Sequence, residues 1–291
     1  MSGIVISGYA SLDHVIVLNG DIRPGRTTTI LSRPEAAWPR VGGGPAYVAQ
    51  AITKAYSGMV HPLSWIGEDA SGEAYLEQLA RSGVACQGMA KVAGARTPIS
   101  VLAYDPAGDC ACLYDPGMST TIGLTEDQKA LTRAAEWICI TIGPKIVTDQ
   151  LRTLIKHEQK LAWIVKNDPR AITPEQRAML AARADLIFCN GREREFLEST
   201  PVGTTRPGQI IVETQGRHGA TFQRDGESTF VAAEPINVTD PTGAGDTFAG
   251  GVIASILNGA HEPEVFGRAG MEAARTLLLA RKSEETESMK E

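Results

Sequence analysis

Short apolar runs alternate with helix-forming segments along most of the chain, and this alternation restricts the fold more than any other sequence feature. The runs are rich in Val, Ile and Leu, as in strands that are buried on both faces. A chain of alternating strands and helices forms a mainly parallel sheet with helices on both sides. We therefore expect an α/β fold with strands at 4–6, 63–66, 137–143, 162–165, 186–189 and 210–212.

Two regions do not fit this alternation. Residues 23–30 read as a turn followed by a β-prone run, and residues 99–114 read as two β-prone runs joined by the turn 105–109. These segments form either a small separate sheet or an extra hairpin at the edge of the main sheet.

Composition and charge exclude several classes of protein. The 291 residues are 43% hydrophobic and carry a net charge of −6, which suits a large globular core and argues against a nucleic-acid partner. No apolar run approaches the roughly 18 residues that a membrane span needs, and the N-terminus lacks the pattern of a signal peptide. The five cysteines match no disulfide framework or zinc site. We therefore expect a cytoplasmic protein without a membrane span.

The segment Gly243-Ala244-Gly245 directly precedes an apolar run at helical spacing, residues 248–257. Small residues in such a turn allow backbone N–H groups to point into open space, and the positive end of the helix dipole adds to an anion site. Asp246 has two interpretations. It is either a helix-capping residue or a general base that takes a proton from a hydroxyl attacking the bound anion.

Two glycines, Gly42 and Gly43, precede Pro45, a natural first residue of a helix. They form either an ordinary loop or a place where backbone approaches a ligand closely. Asp13 follows the first predicted strand, at the sheet edge where open α/β sheets bind ligands. Its carboxylate is suited to accept hydrogen bonds from two neighbouring hydroxyls, but a solvated turn residue is the alternative.

Asn190 and Glu193 follow another predicted strand at a helix start. As a bare pattern they are a capping box, in which each side chain bonds the other residue's backbone N–H. Further along, Gly216 and Gly219 lie in a turn between two predicted strands, which indicates a hairpin. Near the C-terminus, the small residue Ala274 either leaves room for a flat ring or allows close helix packing.

The motifs together resemble the ribokinase or PfkB family of carbohydrate and nucleoside kinases. Residues 240–246, Asp-Pro-Thr-Gly-Ala-Gly-Asp, are similar to the family pattern Asp-Thr-x-Gly-Ala-Gly-Asp and depart from it only at Pro241. Gly42-Gly43 resembles the N-terminal signature, in which Tyr47 stands where an Asn is usual. The motifs follow the family order between about residue 4 and residue 280. The resemblance implies a ribokinase-like three-layer α/β sandwich with a small β-sheet lid.

The resemblance also implies a role for each residue. Asp246 is the general base, and the amides of Gly243, Ala244 and Gly245 hold the transferred phosphoryl group. The acceptor is held by Asp13, Gly42 and Gly43. Tyr47, in place of the usual Asn, either contacts an atypical sugar, stacks on the base of a nucleoside or is a core aromatic. The implied nucleotide-side residues are Asn190, Glu193, Thr214, Gly216, Gly219 and Ala274. Glu193 would hold Mg²⁺ through water, and Asp240 with Thr242 would hold K⁺.

The implied kinase domain covers residues 1–281, with lid segments at about 14–38 and 96–115 that mediate homodimerisation and an acidic disordered tail at 282–291. The expected reaction moves the γ-phosphoryl group of ATP to a hydroxyl of a sugar. The alternatives are a nucleoside kinase and a non-catalytic sugar- or nucleotide-binding relative. A dinucleotide-dependent oxidoreductase needs Gly-x-Gly-x-x-Gly after the first strand, and Gly8-Tyr9-Ala10-Ser11 does not match. The chain has no Gly-Lys dipeptide and so no P-loop.

Overall fold

The computed structural model describes residues 3–33, 38–119, 121–199 and 206–288. Part of the expected lid, residues 34–37, and the last residues of the expected tail, 289–291, lie outside these ranges.

The larger sheet of the described chain has nine strands in the order β14-β13-β12-β11-β10-β9-β1-β5-β6. Seven of them run parallel, while β13 and β14 pair antiparallel at one edge, where the expected hairpin follows β12. The strands are β1 Gly3–Ser7, β5 Met59–Gly67, β6 Met89–Val92, β9 Trp137–Ile140, β10 Lys160–Ile164, β11 Leu186–Asn190, β12 Ile210–Thr214, β13 Gly219–Arg224 and β14 Glu227–Ala232.

Helices cover both faces of this sheet. Strand alternation sends Ile4 and Ile6 into one core and Val5 into the other. The first core includes Ile52 of α1 and Val252 of α7. The described helices are α1 Gly44–Ala55, α2 Ala70–Arg81, α3 Glu126–Ala134, α4 Lys145–Leu154, α5 Pro174–Arg183, α6 Gly191–Glu198, α7 Ala244–Leu257 and α8 Pro263–Ser288. The expected three-layer α/β fold is confirmed.

A second, smaller sheet of five strands lies apart from the first in the described chain, in the order β3-β2-β7-β8 with β4 also paired to β2. A separate sheet is therefore correct, and the edge-hairpin alternative is wrong. Its strands are β2 Ser11–Leu18, β3 Ile30–Ser32, β4 Arg40–Gly42, β7 Ile99–Tyr104 and β8 Cys110–Asp115.

The structure differs from the sequence expectation at Asp13 and at the last helix, and it also adds β6 and ends β9 at Ile140. Asp13 lies inside β2 and not in a turn after β1, because its backbone pairs with Arg40 of β4 and Ser100 of β7. The last helix continues to Ser288 and does not give way to a disordered tail after residue 281. Arg281 explains the extension, since its Nη1 lies 3.4 Å from Glu284 on the next turn and its Nε lies 3.8 Å from the buried Asp240. No helix in the described ranges has the length and apolar character to cross a membrane.

Candidate active site

The carboxyl ends of three neighbouring parallel strands form the floor of the site. Lys166 follows β10, while Asn190 ends β11 and Thr214 ends β12. Asn190 and Thr214 are direct partners in the strand register, so the topology places them side by side. This is the sheet edge at which ligands bind in open α/β folds.

The turn before α7 lies above this edge. The helix begins at Ala244, and Gly243 is its N-cap residue with φ of 81°, a left-handed conformation that favours glycine. A methyl group at Gly243 would also collide with the ring of Tyr47. First-turn N–H groups have no partner within a helix, so the turn presents donors together with the helix dipole. The N–H of Ala244 already donates to the backbone oxygen of Pro241 at 3.1 Å.

Asp246 lies in the first turn of α7 and forms an ion pair with Lys166. The Lys166 ammonium lies 3.2 Å from Oδ1 of Asp246. This oxygen is buried and accepts no aligned hydrogen bond from the described residues. Burial opposes the charge of Lys166, but Asp246 and Glu193 outweigh it and raise the pKa of Lys166 above its ordinary value. Lys166 is therefore protonated at neutral pH.

Lys166 is a charged residue of the site that sequence reasoning missed. A lysine directly after a buried strand, at the ligand-binding edge of a parallel sheet, was the available signal. Only the fold brings it to Asp246, which is 80 positions away in the sequence.

Asn190 and Glu193 form the capping box of α6. Oδ1 of Asn190 accepts the backbone N–H of Glu193 at 3.0 Å, and Oε2 of Glu193 accepts that of Asn190 at 2.9 Å. Burial raises the pKa of Glu193, although Lys166 and the hydrogen bond from Asn190 act in the opposite direction. The capping interpretation is therefore correct. The charges of Lys166 and Asp246 also influence the pKa of the Glu193 carboxyl.

A cavity of about 770 Å³ opens beside the anion-site turn, a size typical of small-molecule pockets. Ala244 and Gly245 line one side. Five of the six residues expected on the nucleotide side also line it, and Glu193 is the exception: the five are Asn190, Thr214, Gly216, Gly219 and Ala274. The sequence did not indicate the apolar residues that complete the cavity, which include Ala232, Ile236, Val238, Met271 and Leu278.

Asp13 is buried on the other side of the same turn. Ser11 donates a hydrogen bond to its Oδ1 at 2.9 Å, and Tyr47 donates one to its Oδ2 at 3.1 Å. Burial raises the pKa of Asp13 above its ordinary value, and these hydrogen bonds only partly offset the effect. A methyl group at Gly42 would collide with this carboxylate, so glycine is required there. Gly43, with φ of 87°, is the N-cap of α1.

Asp240 and Thr242, the expected potassium ligands, have other partners. Arg40 donates a hydrogen bond to Oδ2 of Asp240, and the backbone N–H of Thr242 donates to Oδ1 at 3.0 Å. The Thr242 hydroxyl lies 2.6 Å from that of Tyr104. The geometry does not support a potassium ion at these two residues.

The sequence of the chain also matches a known protein family. The profile described as "pfkB family carbohydrate kinase" matches residues 4–286. An ATP-dependent ribose-1-phosphate kinase from Halopiger xanaduensis is 27% identical over 222 residues, which are 74% of this chain and 73% of the relative.

Solved structures with the same fold include the nucleoside kinase of Methanocaldococcus jannaschii. It has a TM-score of 0.79 and 18% identity, with 97% of this chain and 93% of that chain covered. An uncharacterised sugar kinase of Pyrococcus horikoshii, solved in complex with ATP, has a TM-score of 0.73 and 20% identity, with 93% and 90% covered. Since the family profile spans nearly the whole sequence, the chain belongs to the pfkB family of carbohydrate kinases, which are phosphotransferases with an alcohol group as acceptor.

Proposed function

We propose that this protein transfers the γ-phosphoryl group of ATP to a hydroxyl of a sugar, with Asp246 as general base. One observation carries the proposal. A buried carboxylate oxygen without an aligned hydrogen bond lies in the first turn of a helix whose N-terminus faces a nucleotide-sized cavity. A carboxylate beside an anion site fits a group that takes a proton from the attacking hydroxyl, while Lys166 offsets its repulsion of the anion.

The two sides of the turn suit the two substrates. The cavity on one side is lined by Met271 and Ala274, which suit an adenine ring, and by the small residues Gly216 and Gly219, which leave room for phosphates. On the other side, Asp13 provides a carboxylate for acceptor hydroxyls. The amides of Gly243, Ala244 and Gly245 would stabilise charge on the phosphoryl oxygens between them.

Lys166 supports both the base and the phosphoryl group in this proposal. Its ammonium compensates the charge of Asp246 before ATP binds. When the acceptor hydroxyl loses its proton to Asp246, the same ammonium lies beside the oxygens that carry the developing charge.

Glu193 fits a water-mediated role toward Mg²⁺. One of its oxygens accepts the Asn190 N–H, which leaves the other to accept hydrogen bonds from water. Magnesium retains several waters and needs few protein carboxylates. When bound, the ion would neutralise charge on the phosphate oxygens of ATP.

A nucleoside is the second candidate acceptor. The rings of Tyr9 and Tyr114 lie 5.8 Å apart where β8 of the lid sheet meets the loop after β1, and a methyl group at Gly43 would collide with the backbone oxygen of Tyr9. Aromatic faces beside the acceptor side suit a stacked base.

We also propose that the lid sheet joins two copies of the chain. Its edge strands expose large apolar side chains, with Leu31 of β3 and Leu113 of β8 each 63% exposed. Exposed apolar residues on edge strands mark interaction surfaces.

The test is a screen of ATP consumption over sugars, sugar phosphates and nucleosides, with the phosphorylated product identified by mass. Asp246→Asn serves as the matched control, because it subtracts ATP hydrolysis that is independent of the base. A single class that gives a phosphoester with the wild-type protein and not with Asp246→Asn supports the proposal. Nucleotide binding without a product for any acceptor would favour a non-catalytic relative.

A further inference from the structure

Arg40 is a buried arginine that joins the lid sheet to the turn before α7. It lies in β4 opposite Asp13 of β2, and its side chain is 4% exposed. Its Nη2 group donates a hydrogen bond to Oδ2 of Asp240, which is 200 residues further along the chain. Arg281 of α8 places its Nε 3.8 Å from the same oxygen. The Asp240 carboxylate therefore contacts two guanidinium groups from distant parts of the sequence.

Asp240 fixes the turn that leads into the anion site. Its Oδ1 accepts the backbone N–H of Thr242, and the Thr242 hydroxyl contacts Tyr104 of the lid sheet. Burial opposes the ionised form of Asp240, but Arg40 and the hydrogen bonds from Thr242 outweigh it and lower the pKa of this carboxyl. The carboxylate is therefore charged at neutral pH, and the turn that it holds continues directly into Gly243.

Two carboxylates, Asp240 and Asp246, flank the turn at which phosphoryl oxygens would bind. The negative charges of these carboxylates and of the phosphoryl oxygens would repel, most strongly away from water. A positive charge beside Asp240 reduces this repulsion. Arg40 supplies one that does not depend on pH, because a guanidinium is not deprotonated in proteins.

The alternative is that Arg40 binds a phosphate group of the acceptor. Its burial and its ion pair with Asp240 argue against this, since the fold already covers the side chain and pairs its charge. A metal ion at Asp240 would compete with Nη2 of Arg40 for the same carboxylate oxygen.

We infer that Arg40 is a positioning residue that takes the place of a monovalent cation at the anion-site turn, so that turnover requires no potassium. Arg40 acts through Asp240 and does not touch the reacting atoms. The rate readout rests on the proposed kinase reaction, whereas the effect of cations on the stability of the folded protein does not.

The experiment compares turnover and melting temperature in potassium, sodium and tetramethylammonium chloride at equal ionic strength. The turnover and the melting temperature of the wild-type protein are expected to be the same in all three salts. Arg40→Met leaves Asp240 without its nearest cation, so kcat in tetramethylammonium should fall at least about tenfold. Added potassium or guanidinium should restore the rate and raise the melting temperature of this variant only.

Two further variants separate charge from packing. Arg40→Lys keeps the charge and should remain active and insensitive to the salt. Arg81→Met is the matched control, since Arg81 forms an exposed ion pair with Glu77 on the surface of α2; it should resemble the wild type.

A wild-type enzyme that needs potassium would overturn the inference and leave the kinase reaction intact. A loss of rate and stability in Arg40→Met that no cation restores would also overturn it, because Arg40 would then be purely structural. If Arg40→Met does not fold, the wild-type salt comparison and Arg40→Lys decide the question. If no acceptor is phosphorylated, the proposed function fails, and the melting temperatures alone test Arg40.

Discussion

The phenol of Tyr47 donates a hydrogen bond to Oδ2 of Asp13 at 3.1 Å. The same ring lies so close to Gly243 that a methyl group there would collide with it. Tyr47 is almost fully buried, which raises its pKa far above the ordinary value and keeps it a hydrogen-bond donor. One side chain therefore connects the proposed acceptor carboxylate with the proposed phosphoryl-binding turn.

Tyr47→Phe should weaken acceptor binding and shift its pH dependence. Burial already raises the pKa of Asp13, and loss of the Tyr47 hydrogen bond should raise it further. Since the ionised carboxylate binds hydroxyls, KM for the acceptor should increase as pH falls through this pKa, and the increase should begin at higher pH in the variant. At neutral pH we expect KM to rise about tenfold with a smaller change in kcat.

The raised pKa of Asp13 also makes the stability of the folded protein depend on pH. Because the pKa of Asp13 is higher in the folded than in the unfolded state, its stabilising contribution is complete below the unfolded value and is lost as pH rises through the folded one.

The matched control for Tyr47→Phe is Tyr75→Phe, which removes a buried phenol that donates to the backbone oxygen of Gly42 at 3.0 Å. An equal shift in the pH dependence of KM in both variants would contradict a specific effect of Tyr47 on Asp13.

Asp246→Asn should lower kcat by at least about 10²-fold, the lower range for general-base catalysis. Asparagine keeps the shape of the side chain, so the fold and ATP binding should persist. ATP affinity should hold or rise, because a negative charge near the phosphates has been removed. Turnover and nucleotide binding are measured on the same folded sample. If chemistry is rate-limiting and the variant keeps more than roughly a tenth of the rate, Asp246 is not the base and is only a residue of the helix start.

Glu193→Gln should reduce magnesium-dependent turnover and leave the helix cap in place. Two other helices already use glutamine in the same capping position, Gln128 in α3 and Gln176 in α5. Glu193→Ala should lose the same function and also destabilise the protein by about 1 kcal/mol through loss of the cap. Magnesium titrations of the rate and melting temperatures distinguish these effects. An unchanged magnesium dependence in Glu193→Gln would leave Glu193 as a cap only.

Gly245→Ala should fold normally and bind ATP poorly. A methyl group there meets nothing within 4 Å, so the free protein tolerates it. The added group projects into the space that the phosphates are proposed to occupy, and KM for ATP should rise at least about tenfold. The control is Gly20→Ala, in a bend after β2, where a methyl group also meets nothing within 4 Å. Normal ATP kinetics in Gly245→Ala would argue against phosphates at this turn.

Leu113→Asp should convert the proposed lid dimer into a monomer, because a charge in the centre of an apolar contact cannot be desolvated cheaply. Light scattering after gel filtration gives the mass. Val265→Asp is the control, since Val265 is 55% exposed on α8, outside the lid sheet. A monomeric wild-type protein, or a dimer that persists in Leu113→Asp, would contradict dimerisation through this surface.

Local sequence patterns determined the elements of this fold. The alternating apolar runs predict six of the seven parallel strands and miss β6. The small residues before residue 248 predict a helix start near residues 245–246, and α7 begins at Ala244. The Asn190 and Glu193 spacing predicts the capping box that the structure contains. Propensity, hydrophobic period and capping act over a few neighbouring residues, so they can be read along the chain.

The tertiary structure decided which side chains meet. Lys166 contacts Asp246, Arg40 contacts Asp240 across 200 residues, and α8 continues beyond its expected end where Arg281 approaches that same carboxylate. None of these contacts has a local signature. They follow from the order of strands in two sheets and from the burial of charges that must find opposite charges within the fold.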